Sequence, residues 1–398
     1  MKEIPKYLDV AVVGAGPAGS AVASELARRG HRVGLFERDR FPRDKVCGEF
    51  LSPESMDCLR RLGCYDAFRA HQPPAIECVR LTAASGVETT LALAATARGL
   101  SRRRLDSMLF DLAIRRGALA IDGIDVRRLE PVDARHIRLH LRRHVDGVEH
   151  NHRLTARLVV AAHGRRSHLD RTLQRPSFHD HSPFVAFKRH HRLLRGGTCP
   201  PLDGLVELHA FDGGYCGVSF VEDDIVNVCT MFDRRLLRSE QAASPARPFE
   251  LVARQSPVLA RRLKTLEPCD TETLAVAPIS LASREVTCDR ILYVGDAAAM
   301  IAPLAGDGQA MALESGLRLA RLIDHSFPAP PVGPWTSTFH RHYRRRLQLA
   351  RCLQHTLIRP LPADLGLRLL RRLPRIGEAL LQWTRSPAVE TIGTTYRN

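Results

Sequence analysis

Aromatic side chains are scarce in this 398-residue chain: they make up 6% of it, and the two tryptophans, Trp335 and Trp383, both stand near the C-terminus. Nucleic-acid binding calls for a recognisable module or for basic segments interleaved with stacking aromatics, so this composition speaks against a nucleic-acid partner. Long apolar runs are also missing. No charge-free apolar stretch of 18 residues occurs, which leaves no spanning helix and points to the cytoplasm. Lys2 and Lys6 beside an apolar stretch imitate a signal peptide, but Pro5 and Asp9 interrupt it. The ten cysteines, at 47, 58, 64, 78, 199, 216, 229, 269, 288 and 352, include no CxxC pair and no metal-ligand spacing; they read as reduced thiols, mostly core. His179, His181, His190 and His191 lack a complete ligand set, and no metal is assigned. Acids are outnumbered, 43 against 59 Lys and Arg, for a formal charge of +16. Such a surplus suits polyanionic cofactors, acidic carrier proteins or anionic membrane surfaces, or is a solvated arginine-rich exterior with no dedicated partner. Length and the 44% hydrophobic content suffice for a large core.

What is present begins with GAGPAGSAVASELARRGHRVGLFER. The apolar run Val10 to Val13 enters Gly14, Gly16 and Gly19 and then a stretch of good helix formers ending at Arg28, Arg29 and Gly30. That order predicts a strand, a tight turn and a helix. Gly14 permits the turn, Gly16 lets backbone approach a pyrophosphate, Gly19 lets the helix sit on the strand, and the helix start at Pro17-Ala18 offers free N–H groups to phosphate. A second strand, Arg32 to Phe36, leads to Glu37, 18 residues after Gly19 and suited to a ribose hydroxyl, with Arg38 beside it. A second segment, VGDAAAMIAPLAGDGQAMALESG, supplies the short strand Ile291 to Val294, Gly295-Asp296 at its end, then Pro303, Gly306 and Gly308 before a helical pattern from Gln309 to Leu322. A carboxylate at that strand end suits a ribitol hydroxyl, and a glycine-rich helix start suits the polar edge of a flavin.

Together these segments resemble the FAD-dependent oxidoreductases of the p-hydroxybenzoate hydroxylase fold, which include group A aromatic monooxygenases and geranylgeranyl reductases. Further motifs extend the resemblance over roughly residues 8 to 325. Ser101-Arg102-Arg103-Arg104-Leu105-Asp106 is similar to the family's arginine-bearing helix start, which implies that Arg102 contacts FAD phosphate or ribose. Leu158 to Ala162, then His163-Gly164 and Ser167, resemble a strand and turn that the family writes with Asp-Gly; His163 departs from it and makes pyridine nucleotide use less secure than FAD. Lys45-Val46-Cys47-Gly48-Glu49 looks like the lysine-cysteine-glycine loop of the geranylgeranyl-reductase branch, so Lys45, Cys47 and Gly48 join the implied cofactor contacts.

The fold class expected is α/β: a Rossmann-like FAD-binding domain from residues 1–75, 98–175 and 276–330, with an inserted, mainly antiparallel substrate-binding sheet from 76–97 and 176–275. Strand-like runs at Cys78–Thr82, Gly204–His209 and Ile225–Met231 belong to that sheet. A C-terminal helical segment, 331–398, carries helical patterns at His340–Leu357 and Leu365–Trp383, broken near Pro360-Leu361-Pro362. Its leucines and arginines suit a membrane surface or packing on its own domain. Phe211 to Val218 and Asn227-Val228-Cys229 resemble the strand pair beside the isoalloxazine, where Cys216 and Phe220 imply an altered pocket wall and Tyr215 is a candidate to orient or deprotonate a phenol. The tryptophan-rich strand of flavin-dependent halogenases is missing, so this is a poor halogenase candidate.

The resemblance implies FAD as cofactor, NAD(P)H as electron donor and a small aromatic or lipophilic substrate, free or tethered to a carrier protein. Two enzyme readings follow: monooxygenation of an aromatic or polyketide-like compound of specialised metabolism, or reduction of an alkene in an isoprenoid or other lipophilic substrate. A third reading, motivated by His163 and Cys216, is a flavin-binding scaffold without turnover.

Overall fold

The computed structural model describes residues 4–385 except 146, 166, 176–181, 195–198, 240–245, 270–271 and 283. His179 and His181 lie outside the described residues.

The apolar run at the start forms β1 (Tyr7–Val13), whose last four residues are all buried. Such a continuous run suits a strand covered on both faces of a parallel sheet. The chain then passes through α1 (Pro17–Arg28) to β2 (Val33–Phe36), β3 (Phe50–Leu51), α2 (Pro53–Arg61) and α3 (Tyr65–Arg69). A hairpin of β4 (Ala75–Thr82) and β5 (Glu88–Gly99) precedes α4 (Arg102–Arg115) and β6 (Leu119–Ile121). Next comes an antiparallel ribbon of β7 (Ile124–Asp133), β8 (His136–Val145) and β9 (Val148–Ala161), then α5 (His168–Thr172). Four longer strands follow, β10 (Phe184–Leu193), β11 (Gly204–Phe211), β12 (Gly214–Phe220) and β13 (Val226–Asp233). After α6 (Arg247–Gln255) and α7 (Pro257–Leu263) come β14 (Leu266–Pro268), β15 (Leu274–Val276), β16 (Thr287–Cys288) and β17 (Ile291–Tyr293). Four helices close the described chain: α8 (Gly308–Ser326), α9 (Val332–Leu357), α10 (Pro360–Arg372) and α11 (Pro374–Trp383).

Two sheets organise these elements. In the first, β17, β9, β1, β2 and β6 lie side by side and parallel, with Val10 opposite both Val33 and Leu158. The second runs β14, β10, β13, β12, β11, β4, β5, β3; its pairs are antiparallel except β11 with β4. The α/β class and Rossmann-like order expected from the glycine motif are therefore present. The long β7–β9 ribbon was not foreseen, because it sits inside the stretch 98–175 assigned to the FAD-binding domain, where only Leu158 to Ala162 were read as a strand.

The C-terminal helices differ in detail from the sequence pattern. Proline opens a helix readily at its first position, where the missing N–H has no helical partner, so Pro360 starts α10 and Pro374 starts α11 rather than merely interrupting them. Helix α9 is tied to the first sheet: Trp335 is fully buried and its Nε1 donates to Tyr293 O at 3.0 Å.

Candidate active site

At the C-terminal end of β1 the turn is sterically committed to glycine. Gly14 has φ +101°, and a Cβ there would lie 2.4 Å from Ala162 O on the neighbouring strand. A Cβ on Gly19 would lie 1.9 Å from Gly14 O, so only glycine lets α1 press against its own turn. Gly16 is different: its Cβ position faces open space apart from an Arg102 nitrogen at 3.6 Å. No side chain caps α1, and its first turn holds no acid, which leaves the helix-start N–H groups and their partial positive charge for an anion.

The side chains around this turn carry net positive charge. Glu37 Oε2 accepts from Ala15 N at 2.9 Å and from Arg43 at 3.0 Å. Asp106 accepts two bonds from Arg102, at 2.8 and 2.7 Å, and one from Arg43 at 2.6 Å. Lys45 is close enough to Glu37, Arg43, Arg102 and Asp106 to feel each of their charges, and burial pulls its ammonium below the usual range. Three cations (Arg43, Lys45, Arg102) against two carboxylates leave one positive charge, and Lys45 has no ion pair among the described residues. Arg38 is mostly exposed and bonds Asp39 at 3.3 Å. Glu37 is more engaged than the sequence implied: a ribose hydroxyl would share an oxygen already held by the turn.

The second glycine segment faces the same space. Gly295 has φ +61°, and a Cβ there would press within 2.8 Å of Ala18 Cβ on α1. Asp296 follows; burial raises its carboxyl above the usual range, while Arg165 and Arg102 pull it down. Its carboxylate has no hydrogen-bond partner among the described residues. Burial lowers Arg165 in turn, and the guanidinium senses Asp296, Cys47 and Cys229 around it. The sequence reading missed Arg165; its one signal was its place directly after Gly164, which has φ +82°. Farther on, Pro303 opens a 3₁₀ turn, Pro303–Ala305, and Gly306 at φ +67° turns into the unsealed start of α8 at Gly308. Asp307 just before it is buried, accepts from Ser52 Oγ at 2.9 Å and pairs with Arg346 of α9.

Glu49 is the hub of the lysine-cysteine-glycine loop. Its backbone is left-handed, with φ 55°, and its buried carboxylate accepts from Lys188 Nζ at 2.5 Å, His190 Nε2 at 2.7 Å and Arg102 N at 2.8 Å. Lys188 also reaches Asp44 at 3.3 Å. Asp44, Glu49 and His190 bring ligand-type atoms within 4.8 Å of one another, but the Lys188 ammonium already supplies the positive charge there. Cys47 is fixed between elements: its carbonyl accepts from Asn227 Nδ2 at 3.1 Å, and its sulfur from Gln309 Nε2 at 3.5 Å. Burial raises its pKa, so it is a thiol rather than a thiolate. Gly48 is exposed, with nothing near its Cβ position.

One face of the second sheet roofs this space. The pairings of β10, β13, β12 and β11 align Lys188 with Cys229 and Gly217, and Ala186 with Met231, Tyr215 and Ala210. The face is thus divided into an ionic end, around Lys188 and Asn227, and an apolar bay where Tyr215, Ala186, Met231, Ile279 and Ile358 cluster beside Val46, Met300 and Leu304. Two expectations are corrected here. Cys216 points to the opposite face, into a core with Val218, Val228 and Phe232, and Phe220 packs on that same core, so neither shapes the pocket wall. Burial holds Tyr215 well above the ordinary phenol range, which favours orienting a phenol over deprotonating one. His163 is buried edge-on to Tyr293, its Nδ1 3.1 Å from Gly164 O. His190 and His191 leave opposite faces of β10, one toward Glu49 and the other against Phe249. A groove of about 820 Å³ between β5, α9 and α11 contains none of the cofactor residues above.

These residues suit a flavin dinucleotide. The unpaired Lys45 ammonium, the uncapped α1 start and the open side of Gly16 match a pyrophosphate, and the unpartnered Asp296 carboxylate matches a sugar hydroxyl. The comparisons agree. The FAD binding domain family model matches residues 7–326. Menaquinone reductase of Mycolicibacterium smegmatis is 28% identical over 366 residues, 88% of this chain and 85% of that protein. Squalene monooxygenase of Mus musculus is 26% identical over 342 residues, 80% of this chain and 55% of that protein. The structure of the flavin-dependent brominase Bmp2 superposes with a TM-score of 0.76 at 20% identity, covering 95% of this chain and 94% of that one, a likeness of fold alone. With the family model spanning most of its length and the geometry built for the dinucleotide, the chain belongs to the FAD binding domain family and is an FAD-dependent oxidoreductase.

Proposed function

We propose that this oxidoreductase reduces an alkene of a lipophilic, isoprenoid-type substrate, with a pyridine nucleotide as electron donor. The observation that carries the reading is the loop Lys45 to Glu49, clamped by Glu49 between α4 and β10 and lying under an apolar bay. The match to menaquinone reductase over 88% of the chain supports it. FAD, when bound, supplies two-electron transfer, to an alkene or to O₂. The chain's own residues bind and orient. Lys45 and the α1 start would hold the anionic end of the cofactor; Cys47, Gln309 and the α8 start would border its ring end. The bay around Met231, Ile279 and Ile358 takes an apolar chain out of water, and the protonated Tyr215 hydroxyl donates to a polar group at the substrate's head. No carrier protein is needed to explain an apolar bay, whereas a free lipophilic substrate fills it by burial alone.

Monooxygenation is the second reading, favoured by the likeness to squalene monooxygenase across 80% of the chain. The product separates the two. A gain of two hydrogens without oxygen, formed under anaerobic conditions with NADH or NADPH, supports reduction. Incorporation of labelled oxygen from O₂ supports the second reading and removes the first.

A further inference from the structure

Large apolar side chains exposed to solvent are unevenly spread: among the described residues, twelve are exposed, and six of those fall between 361 and 383. Helix α10 has two apolar stripes. Ala363, Leu367 and Leu370 pack toward β5 in one hydrophobic cluster, while Leu361, Leu365 and Leu369, spaced four residues apart and therefore on one line of the helix, are 79%, 70% and 51% exposed. Helix α11 lies against the same strand. Gly377 allows it, because a Cβ there would come within 2.7 Å of Leu91 on β5, and Leu373, Ile376 and Trp383 are left facing outward. Both helices thus rest on β5 and turn leucines away from the protein.

The charges beside these leucines are mostly positive: Arg368, Arg371, Arg372 and Arg375 stand against the acids Asp364 and Glu378. Arg371, Arg372 and Arg375 are exposed and form no ion pair among the described residues, whereas Asp364 is partly occupied by Ser85, which donates to it at 2.6 Å, and by Arg368 at 3.8 Å. A second copy of this chain docked here would set arginines against arginines on a molecule of charge +16. An anionic lipid surface answers both features: leucines and tryptophan enter the interfacial region while arginines reach up to the headgroups. We propose that the outward face of α10 and α11 docks this protein on anionic membranes as a peripheral, non-spanning contact. The site lies close to the bay in the chain. Ile358, two residues before α10, is part of the bay cluster, and its carbonyl accepts from Gly213 N at 2.9 Å at the β11–β12 turn. The inference stands on this surface and does not depend on which substrate the bay takes.

The test is flotation of the FAD-loaded protein with vesicles of phosphatidylcholine alone or with about 30% phosphatidylglycerol, at about 0.1 M and 0.5 M salt. Expected is co-flotation with the anionic vesicles, falling roughly tenfold with neutral vesicles or high salt. Leu365→Ser with Leu369→Ser lowers partitioning by about tenfold or more, since each exposed leucine loses several buried methylene groups. Arg371→Glu with Arg372→Glu removes the preference for anionic lipid. Both variants change only exposed side chains and keep the bound-flavin spectrum of the parent. Absence of co-flotation, or binding unchanged in the leucine variant, overturns the proposal. So does a concentration-dependent dimer of the parent that the leucine variant dissolves, because a second copy then covers the face.

Discussion

Asp296 and His163 show how burial sets the state of single groups at this site. The Asp296 carboxylate has a raised pKa from burial and no hydrogen-bond partner among the described residues, so in the FAD-free protein it costs stability. Asp296→Asn is therefore expected to melt no lower than the parent when both are free of FAD, yet to bind FAD about 10- to 100-fold more weakly, the scale of a hydrogen bond to a charged group. Flavin fluorescence titration checks it; unchanged affinity would remove Asp296 from the cofactor contacts. His163 is pushed by burial down to about 4, against the pull of Asp170. The fold holds it neutral while the unfolded chain takes up a proton below about 6.5. Its contribution is complete above that pH and is lost progressively as pH falls from about 6.5 to about 4, worth about 3 kcal/mol in all. Melting curves between pH 7 and 4.5 should fall less steeply for His163→Asn than for the parent; equal slopes would contradict the assignment. His163 was legible as a departure from an Asp-Gly turn, but its neutral state follows from burial against Tyr293, which no local spacing reveals.

At the scale of elements, the two glycine-bearing turns were the most legible part of the chain, because their glycines stand in contiguous strand-turn-helix motifs. The structure separates their roles. Gly19→Ala puts a methyl 1.9 Å from Gly14 O and should yield unstable protein, whereas Gly16→Ala meets only Arg102 at 3.6 Å and should fold but hold FAD weakly. Expression yield and flavin content after purification tell these apart. The Lys45–Glu49 loop was recognisable, but its clamp was not: Glu49 binds Lys188 and His190, 139 and 141 residues away. The same limit explains Cys216. One residue of strand parity decides whether Cys216 or Tyr215 faces the apolar bay, and the parity is set by pairing with β13, not by the motif. Helix α9 was read as part of a separate tail, yet Trp335 seals it onto β17. Trp335→Ala should cost about 3–5 kcal/mol by urea unfolding, and it should also weaken FAD binding, since Tyr293 immediately precedes the Val294-Gly295-Asp296 turn. Stability lost with FAD affinity intact would mean that α9 supports the fold alone.

The whole molecule joins a dinucleotide cradle, a roof split into ionic and apolar ends, and a basic C-terminal face of exposed leucines. The cradle was readable from sequence because its chemistry is written in contiguous motifs. The roof was not, since its lining comes from β10, β11, β12 and β13 together and only their register defines a common face. The surplus of arginine suggested several partners without choosing among them, and the exposed stripe of α10 gives part of that surplus a location. No helix among the described residues is long and apolar enough to cross a membrane. Alkene reduction is the function proposed for cradle, clamped loop and apolar bay together. The most direct test incubates the FAD-loaded protein anaerobically with NADH or NADPH and a polyprenylated quinone, followed by mass analysis and a parallel reaction under labelled O₂. The account predicts a product heavier by two hydrogens, formed without O₂ and carrying no label; a product formed only with O₂ and bearing the labelled oxygen would contradict it.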